Sequence, residues 1–323
     1  MAGLAAGDIR VGTAGVLDAD VAAILARAAE LDLPSLPSLG PEEARREFRR
    51  RLARSNPPAP QDLAVRDVAA AGSGGPLRLR LYRPEAASGG ALLYFHGGGF
   101  VLGDLETADP ICRLVAARTG SAVVALDYRL APEHPYPAAV EDALAALRWL
   151  EAGPPELGGR PTVLGVAGDS AGGTLAAVAA LHARDRGIDL RRQILIYPAV
   201  DQGGAYPSRV HLAQGYLLTA DDIAWFNRQY FGECGGAVLD TWASPLRSVS
   251  HAGTAPALVL TAGFDPLADE GRAYAARLAA CGVPVRHVCL HGAIHGCLGL
   301  ARFLECGRRA LDEITEAWAS ALS

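Results

Sequence analysis

Val163-Leu-Gly-Val-Ala-Gly-Asp-Ser170-Ala-Gly-Gly-Thr-Leu-Ala-Ala-Val178-Ala-Ala-Leu181 changes its period at one residue. Val163 to Ala167 is a short unbroken apolar run, as expected of a strand buried on both faces. From Ser170 onward Leu175, Val178 and Leu181 recur at helical spacing, while Gly172, Gly173, Ala176 and Ala177 are small enough to let that helix lie against a sheet. A serine flanked by glycines at so sharp a strand-to-helix turn is a strained elbow, and its hydroxyl should stand exposed at the strand's carboxyl end.

The same grammar repeats outward from this stretch. Apolar runs of strand length recur at Ala91 to Phe95, Ala122 to Leu126, Ile194 to Tyr197, Ala257 to Thr261 and Val285 to Leu290, most of them followed by a helical pattern. Val140, Leu144 and Leu147 share one helix face, as do Tyr274, Leu278 and Cys281 before a stop at Gly282 and Pro284. This alternation predicts a doubly wound α/β domain with a mostly parallel sheet and helices on both faces. Ala64 to Ala70 and the alternating Leu77-Arg-Leu-Arg-Leu81, joined by a glycine turn at 72–75, predict a hairpin at the sheet's antiparallel end. Ligands on such sheets sit at the carboxyl ends of the strands.

Several strand ends carry reactive side chains. His96-Gly-Gly-Gly-Phe100 places consecutive glycines directly after a strand, leaving backbone N–H groups free to face an oxygen that becomes negative in a tetrahedral intermediate. In a chain with 37 glycines neither this string nor the serine elbow is specific alone, but the two in order behind strand-like runs point to acyl transfer. The order nucleophile, acid, histidine then selects Asp265, in a loop just past a strand, and His295, followed by a glycine after the last strand. Asp269 and Glu270 are rival carboxylates, and His291 is the alternative base, read here as structural. His291 and His295 form a His-x-x-x-His spacing without the glutamate of a zinc-protease helix, so no metal is expected.

Four strings together, His96-Gly-Gly-Gly-Phe, Asp127-Tyr-Arg-Leu-Ala-Pro-Glu-His-Pro-Tyr-Pro137, Gly168-Asp-Ser-Ala-Gly-Gly173 and Phe264-Asp-Pro-Leu-Ala-Asp-Glu-Gly271, resemble the bacterial hormone-sensitive-lipase-like (family IV) carboxylesterases of the α/β-hydrolase superfamily. The resemblance runs over roughly residues 60 to 320. It implies an α/β-hydrolase fold with a helical cap, a catalytic triad of Ser170, Asp265 and His295, and oxyanion donors at the N–H groups of Gly98, Gly99 and Ala171. Relatives usually carry a bulky aromatic after the His-Gly pair, where this chain has Cys297, which bears on the shape of the pocket beside His295. The implied cap is residues 1–58 plus 201–233, over a catalytic core of 59–200 plus 234–323. The first cap segment holds helical patterns around Val21 to Leu31 and Pro41 to Arg54. The second opens a helix at Thr219, with Ile223, Phe226 and Tyr230 on one face.

Composition narrows the partners. With 323 residues, 50% of them hydrophobic, the chain can bury one large α/β domain with an appended piece. A net charge of −5, carried with arginine and no lysine, supplies no basic field for nucleic acid. The local cluster Arg45, Arg46, Arg49, Arg50, Arg51 and Arg54 is read as a solvated helix face. The sequence has no secretory-type leader and no apolar stretch near ~18 residues, so a cytoplasmic enzyme without stable membrane insertion is expected. The six cysteines (112, 234, 281, 289, 297 and 306) form no Cys-x-x-Cys pair and read as reduced core thiols.

The expected function is a cofactor-free serine carboxylesterase acting on short- to medium-chain acyl esters. The alternatives are an amide or lactone hydrolase, or a non-catalytic small-molecule receptor on the same fold, for which a histidine at 295 would have no use. A homodimer is compatible with the resemblance, and no residue establishes it.

Overall fold

The computed structural model describes residues 15–31, 33–232 and 235–323. Two helices, α1 (Ala19–Glu30) and α2 (Gly40–Ser55), precede the sheet, and the proline-rich link between them forms a 3-10 turn at Leu36–Leu39. The hairpin follows as β1 (Ala64–Gly72) and β2 (Gly75–Arg83), paired so that Val68 faces Leu79. Leu77, Leu79 and Leu81 are buried, while Arg78 and Arg80 turn outward onto Asp67 across the hairpin. The alternation seen in the sequence is therefore a one-sided strand.

After β3 (Gly90–Phe95) the chain alternates through α3 (Leu105–Thr119), β4 (Ala122–Asp127), α4 (Ala138–Glu151), β5 (Val163–Asp169), α5 (Ala171–Arg186) and β6 (Leu190–Ile196). It then leaves the sheet for α6 (Pro207–His211) and α7 (Ala220–Phe231), and returns as β7 (Ala257–Phe264), α8 (Ala268–Ala280), β8 (Val285–Ile294) and α9 (Glu305–Leu322). The eight described strands form one sheet in the order β1-β2-β4-β3-β5-β6-β7-β8, antiparallel only in the pairs made by β2. Every residue of β3 is buried because both faces are covered. Leu93 and Phe95 pack toward α4, α5 and α8, whereas Leu92 and Tyr94 pack toward α3 and α9. Each such side chain contributes roughly 1.5–3 kcal/mol of burial, so the two-sided sheet is the main source of stability. The parallel strands all end at one edge, which gathers the loops after β3, β5, β7 and β8.

The two helices that precede the sheet behave differently from one another. The Leu36–Leu39 turn contacts α7, and α2 lies against α3 and the 3-10 turn Cys297–Leu300. Helix α1 instead braces the core: Asp18 N–H donates to the Gly292 carbonyl, Asp20 accepts from the Glu305 N–H at the start of α9, and Val21 is buried against the sheet. Residues 1–14, grouped with the cap above, and Cys234, grouped with the core, lie outside the described residues.

The arginine cluster of α2 is not only a solvated face. Arg46 and Arg50 do pair with Glu42, Glu43 and Glu47 on their own helix, but Arg45 and Arg49 cross to the core, reaching Val101, Ala131 and Glu133 in one case and Asp104 in the other. No described helix is long and apolar enough to cross a membrane.

The rival carboxylates of the 264–271 string anchor the excursion between β6 and β7. Glu270, fully buried, accepts from the N–H groups of Val200 and Asp201 and pairs with Arg209 at 2.6 Å. Asp269 accepts from the Ser208 N–H at 2.8 Å and pairs with Arg272. Removing one partner of a buried ion pair strands the other. Glu270→Gln is therefore expected to destabilise the fold by about 3–5 kcal/mol, read as a lower urea midpoint at unchanged slope. A midpoint equal to the parent's would mean that Arg209 finds other compensation.

Candidate active site

Ser170 sits at the turn between β5 and α5 with φ 56° and ψ −118°, a left-handed conformation for a residue with a side chain. Such strain costs about 1–3 kcal/mol and persists only where the surroundings over-determine it. Here the Ser170 N–H donates to the Ile196 carbonyl at 2.9 Å, and the flanking glycines permit the close approach. A Cβ on Gly168 would lie 2.2 Å from the Gly172 carbonyl oxygen, and one on Gly172 would lie 2.0 Å from that of Phe95. Glycine is thus required for space, while the serine itself carries the unusual dihedral angles. The result is an Oγ that projects from the strand end.

His295 directly follows β8 and meets that oxygen. The Ser170 hydroxyl faces His295 Nε2 at 2.9 Å, and His295 Nδ1 faces Asp265 Oδ2 at 2.8 Å. Asp265 directly follows β7, is fully buried, and takes the Leu267 N–H on its other oxygen at 2.8 Å. With Nδ1–H donated to the carboxylate, Nε2 keeps its lone pair for the serine. Tyr197, itself at φ 35°, packs its ring 4.8 Å from the imidazole. Three residues spread over 125 positions are therefore brought into one hydrogen-bonded line. His291 is exposed on β8, outside this line.

The loop after β3 lies beside the serine. Gly98 and Gly99 have φ of 122° and 60°, and the Gly98 carbonyl accepts from the N–H groups of Val101 and Leu102, which closes a tight turn. Among the described residues no protein acceptor takes the N–H of Gly98, Gly99 or Ala171. Ala171 opens α5, so its N–H adds the positive end of that helix.

The reading of the sequence missed Asp169. Its Oδ1 accepts from the Gly97 N–H at 3.0 Å and from the Tyr94 hydroxyl at 2.7 Å, pinning the glycine loop to the strand that carries Ser170. Part of the residue still faces the cavity, but its carboxylate is ringed by protein. That burial pushes its carboxyl up, against the pull of Tyr94 and the Gly97 N–H. The available signal was an acidic residue directly ending an apolar strand. His96 is held in turn by stacking on Tyr128, whose hydroxyl donates to the His96 carbonyl.

A cavity of about 630 Å³ opens over Ser170 and His295. Leu52 of α2, Ile111 of α3, Ile223 and Phe226 of α7, and Leu298 contribute much of its apolar wall. Phe226 lies directly over the glycine loop, since a Cβ on Gly99 would fall 2.3 Å from its ring. Cys297 does not line the cavity. It is fully buried, and the neighbouring Cys306 together with burial pushes its thiol up, so Tyr197 and Leu298 shape the space beside His295 instead.

The chain is similar to proteins of one fold family. The profile of a family described as alpha/beta hydrolase fold matches residues 92–299. Esterase LipI of Mycobacterium tuberculosis is 43% identical over 275 residues, 84% of this chain and 85% of the relative. An ethyl acetate hydrolase of Pseudomonas putida is 38% identical over 313 residues, 93% of this chain and 98% of the relative. Among solved structures, a hyperthermophilic esterase from the archaeon Pyrobaculum calidifontis superposes with a TM-score of 0.88 at 42% identity, covering 96% of this chain and 100% of that one.

Proposed function

Because the chain belongs to the alpha/beta hydrolase fold family and is a carboxylic ester hydrolase, we propose that it works through an acyl-enzyme on Ser170, with His295 and Asp265 completing a triad. The observation that carries this reading is the unbroken line from Asp265 through His295 to Ser170 at the floor of the cavity. Ser170 Oγ attacks the ester carbonyl carbon while His295 Nε2 takes its proton. Asp265 holds the ring and stabilises the imidazolium. The N–H groups of Gly98, Gly99 and Ala171 receive the oxyanion, whose charge is worth more in a site shielded from water. The carbonyl–alkoxy bond then breaks, His295 gives its proton to the departing alcohol, and water repeats the cycle to free the acid.

Within the cap expected at 1–58 and 201–233, residues 36–55 and 207–231 are in this reading the part that limits the substrate. Short- to medium-chain acyl esters fit a bounded cavity of this volume, and the relative named for ethyl acetate points the same way. On p-nitrophenyl esters from acetate to hexadecanoate, kcat/KM should peak at short to medium acyl lengths and then decline. A hydrophobic slot discriminates by only ~1–3 kcal/mol per methylene, so the decline is progressive. Phe226→Ala should move the optimum to longer acyl groups. A parental optimum on the longest ester, or a profile unmoved by Phe226→Ala, would refute the cap reading.

A further inference from the structure

The oxyanion reading requires the N–H groups of Gly98 and Gly99 to stay aimed at one point, yet they lie in a loop rather than on a strand or helix. The loop is gripped from two sides by elements outside the sheet. From α7, the Tyr230 ring stacks on Phe100 at 3.9 Å and Phe226 covers Gly99. From α2 comes a single guanidinium. Arg45 Nε donates to the Val101 carbonyl at 2.8 Å, and Nη2 donates to the Ala131 carbonyl at 2.7 Å.

Those two carbonyls belong to the segments that enclose Phe100. Val101 N–H and Leu102 N–H close the turn on the Gly98 carbonyl, and the Ala131 N–H donates to the Phe100 carbonyl at 2.9 Å. Phe100 has φ 63°, a left-handed conformation that a non-glycine residue keeps only when its neighbours hold it. Glu133 takes the remaining face of the guanidinium at 2.6 and 3.0 Å, which fixes the plane of the fork, and Arg45 in return holds the Glu133 carboxyl below its ordinary range.

We propose that Arg45 is a positioning residue: by bridging the Val101 and Ala131 carbonyls it locks the Gly98–Leu102 turn, so that docking of α2 sets the oxyanion donors and the cap takes part in turnover as well as in selecting substrate. The proposal rests on the reading of Gly98 and Gly99 as oxyanion donors. Arginine suits the task because its rigid planar fork spans two acceptors at fixed separation, whereas the three donors of a lysine ammonium all radiate from one nitrogen on a flexible stem. Its effect falls on the transition state, where misplacement of a donor by about 1 Å can cost ~10²-fold.

The test uses the full chain with Arg45→Ala, Arg45→Lys and Arg46→Ala, assayed on a short p-nitrophenyl ester. Arg45→Ala should lower kcat by about 10- to 100-fold with KM little changed, the signature of an interaction made in the transition state. Guanidinium ion at millimolar concentration should restore part of that kcat, and should do nothing for the parent or for Arg46→Ala. Arg45→Lys should fall between parent and Ala variant, and it decides the matter should the Ala variant not fold. Parental kcat in Arg45→Ala or Arg45→Lys would overturn the proposal, as would a rise in KM at constant kcat or a loss indifferent to guanidinium. Fluorophosphonate labelling of Ser170→Ala separates the readings. Lost labelling there with parental kcat in Arg45→Ala overturns Arg45 alone, and persistent labelling overturns both.

Discussion

Ser170→Ala is expected to abolish covalent labelling by a fluorophosphonate and to lower kcat by about a millionfold. The residual rate, some ~10³ to 10⁴ over water, is what binding and the oxyanion donors supply without a nucleophile. The fold should be indifferent, because among the described residues the Ser170 hydroxyl bonds only to His295, which itself retains Asp265. Thermal unfolding should therefore match the parent, and a loss of activity cannot be charged to unfolding. Labelling that persists in the folded variant would move the nucleophile elsewhere on the chain.

The second large effect is expected of Asp265→Asn, with kcat lower by about 10⁴-fold. An amide at this position can turn its NH2 toward Nδ1, which favours the tautomer carrying its proton on Nε2. The histidine then presents a donor to Ser170 where it must present a lone pair. The Leu267 N–H still finds a carbonyl oxygen at 265, so the loop should survive the change. Asp269→Asn makes the contrast. Its carboxylate serves Ser208 and Arg272 rather than His295, so this variant should lose stability while its folded fraction turns over at nearly the parental rate. Active-site titration before each kcat measurement distinguishes the two. The reverse pattern would reassign the acid.

Much of the frame was legible in the chain, because each strand announces itself locally. An apolar run such as Ala91 to Phe95 must be buried on both sides, and the hairpin alternation at Leu77 to Leu81 must be buried on one, whatever else the protein does. The glycine strings were legible for a similar reason, since backbone close to backbone tolerates no Cβ. Boundaries were less so. Strands β5, β7 and β8 each run two to four residues beyond the apolar runs that marked them, because backbone pairing continues through glycine and polar residues that interrupt the apolar pattern, in β8 across His291 and Gly292 to the buried Ala293 and Ile294. The residues of the proposed triad could be chosen from sequence because each stands just past a strand end, and parallel strands deliver their ends to one edge.

What stayed illegible is what depends on separate elements meeting. From the sequence, Asp169 was merely a residue between a glycine and a serine; the pairing of β3 with β5 is what sets its carboxylate against the Gly97 N–H. The arginines of α2 read alike along the helix, yet Arg45 and Arg49 face the core while Arg46 and Arg50 face their own glutamates. Cys297 follows the His-Gly pair but turns inward, leaving the pocket wall to Tyr197 and Leu298. The sequence by itself determined the sheet and helix pattern, the strained elbow and the strand ends that carry reactive side chains, because these follow from periodicity and from local backbone limits. Only the tertiary structure decided what covers the oxyanion loop and which carboxylates anchor rather than face the histidine. Those contacts join positions dozens of residues apart, and their partners are set by how helices pack onto a twisted sheet, which no local pattern encodes.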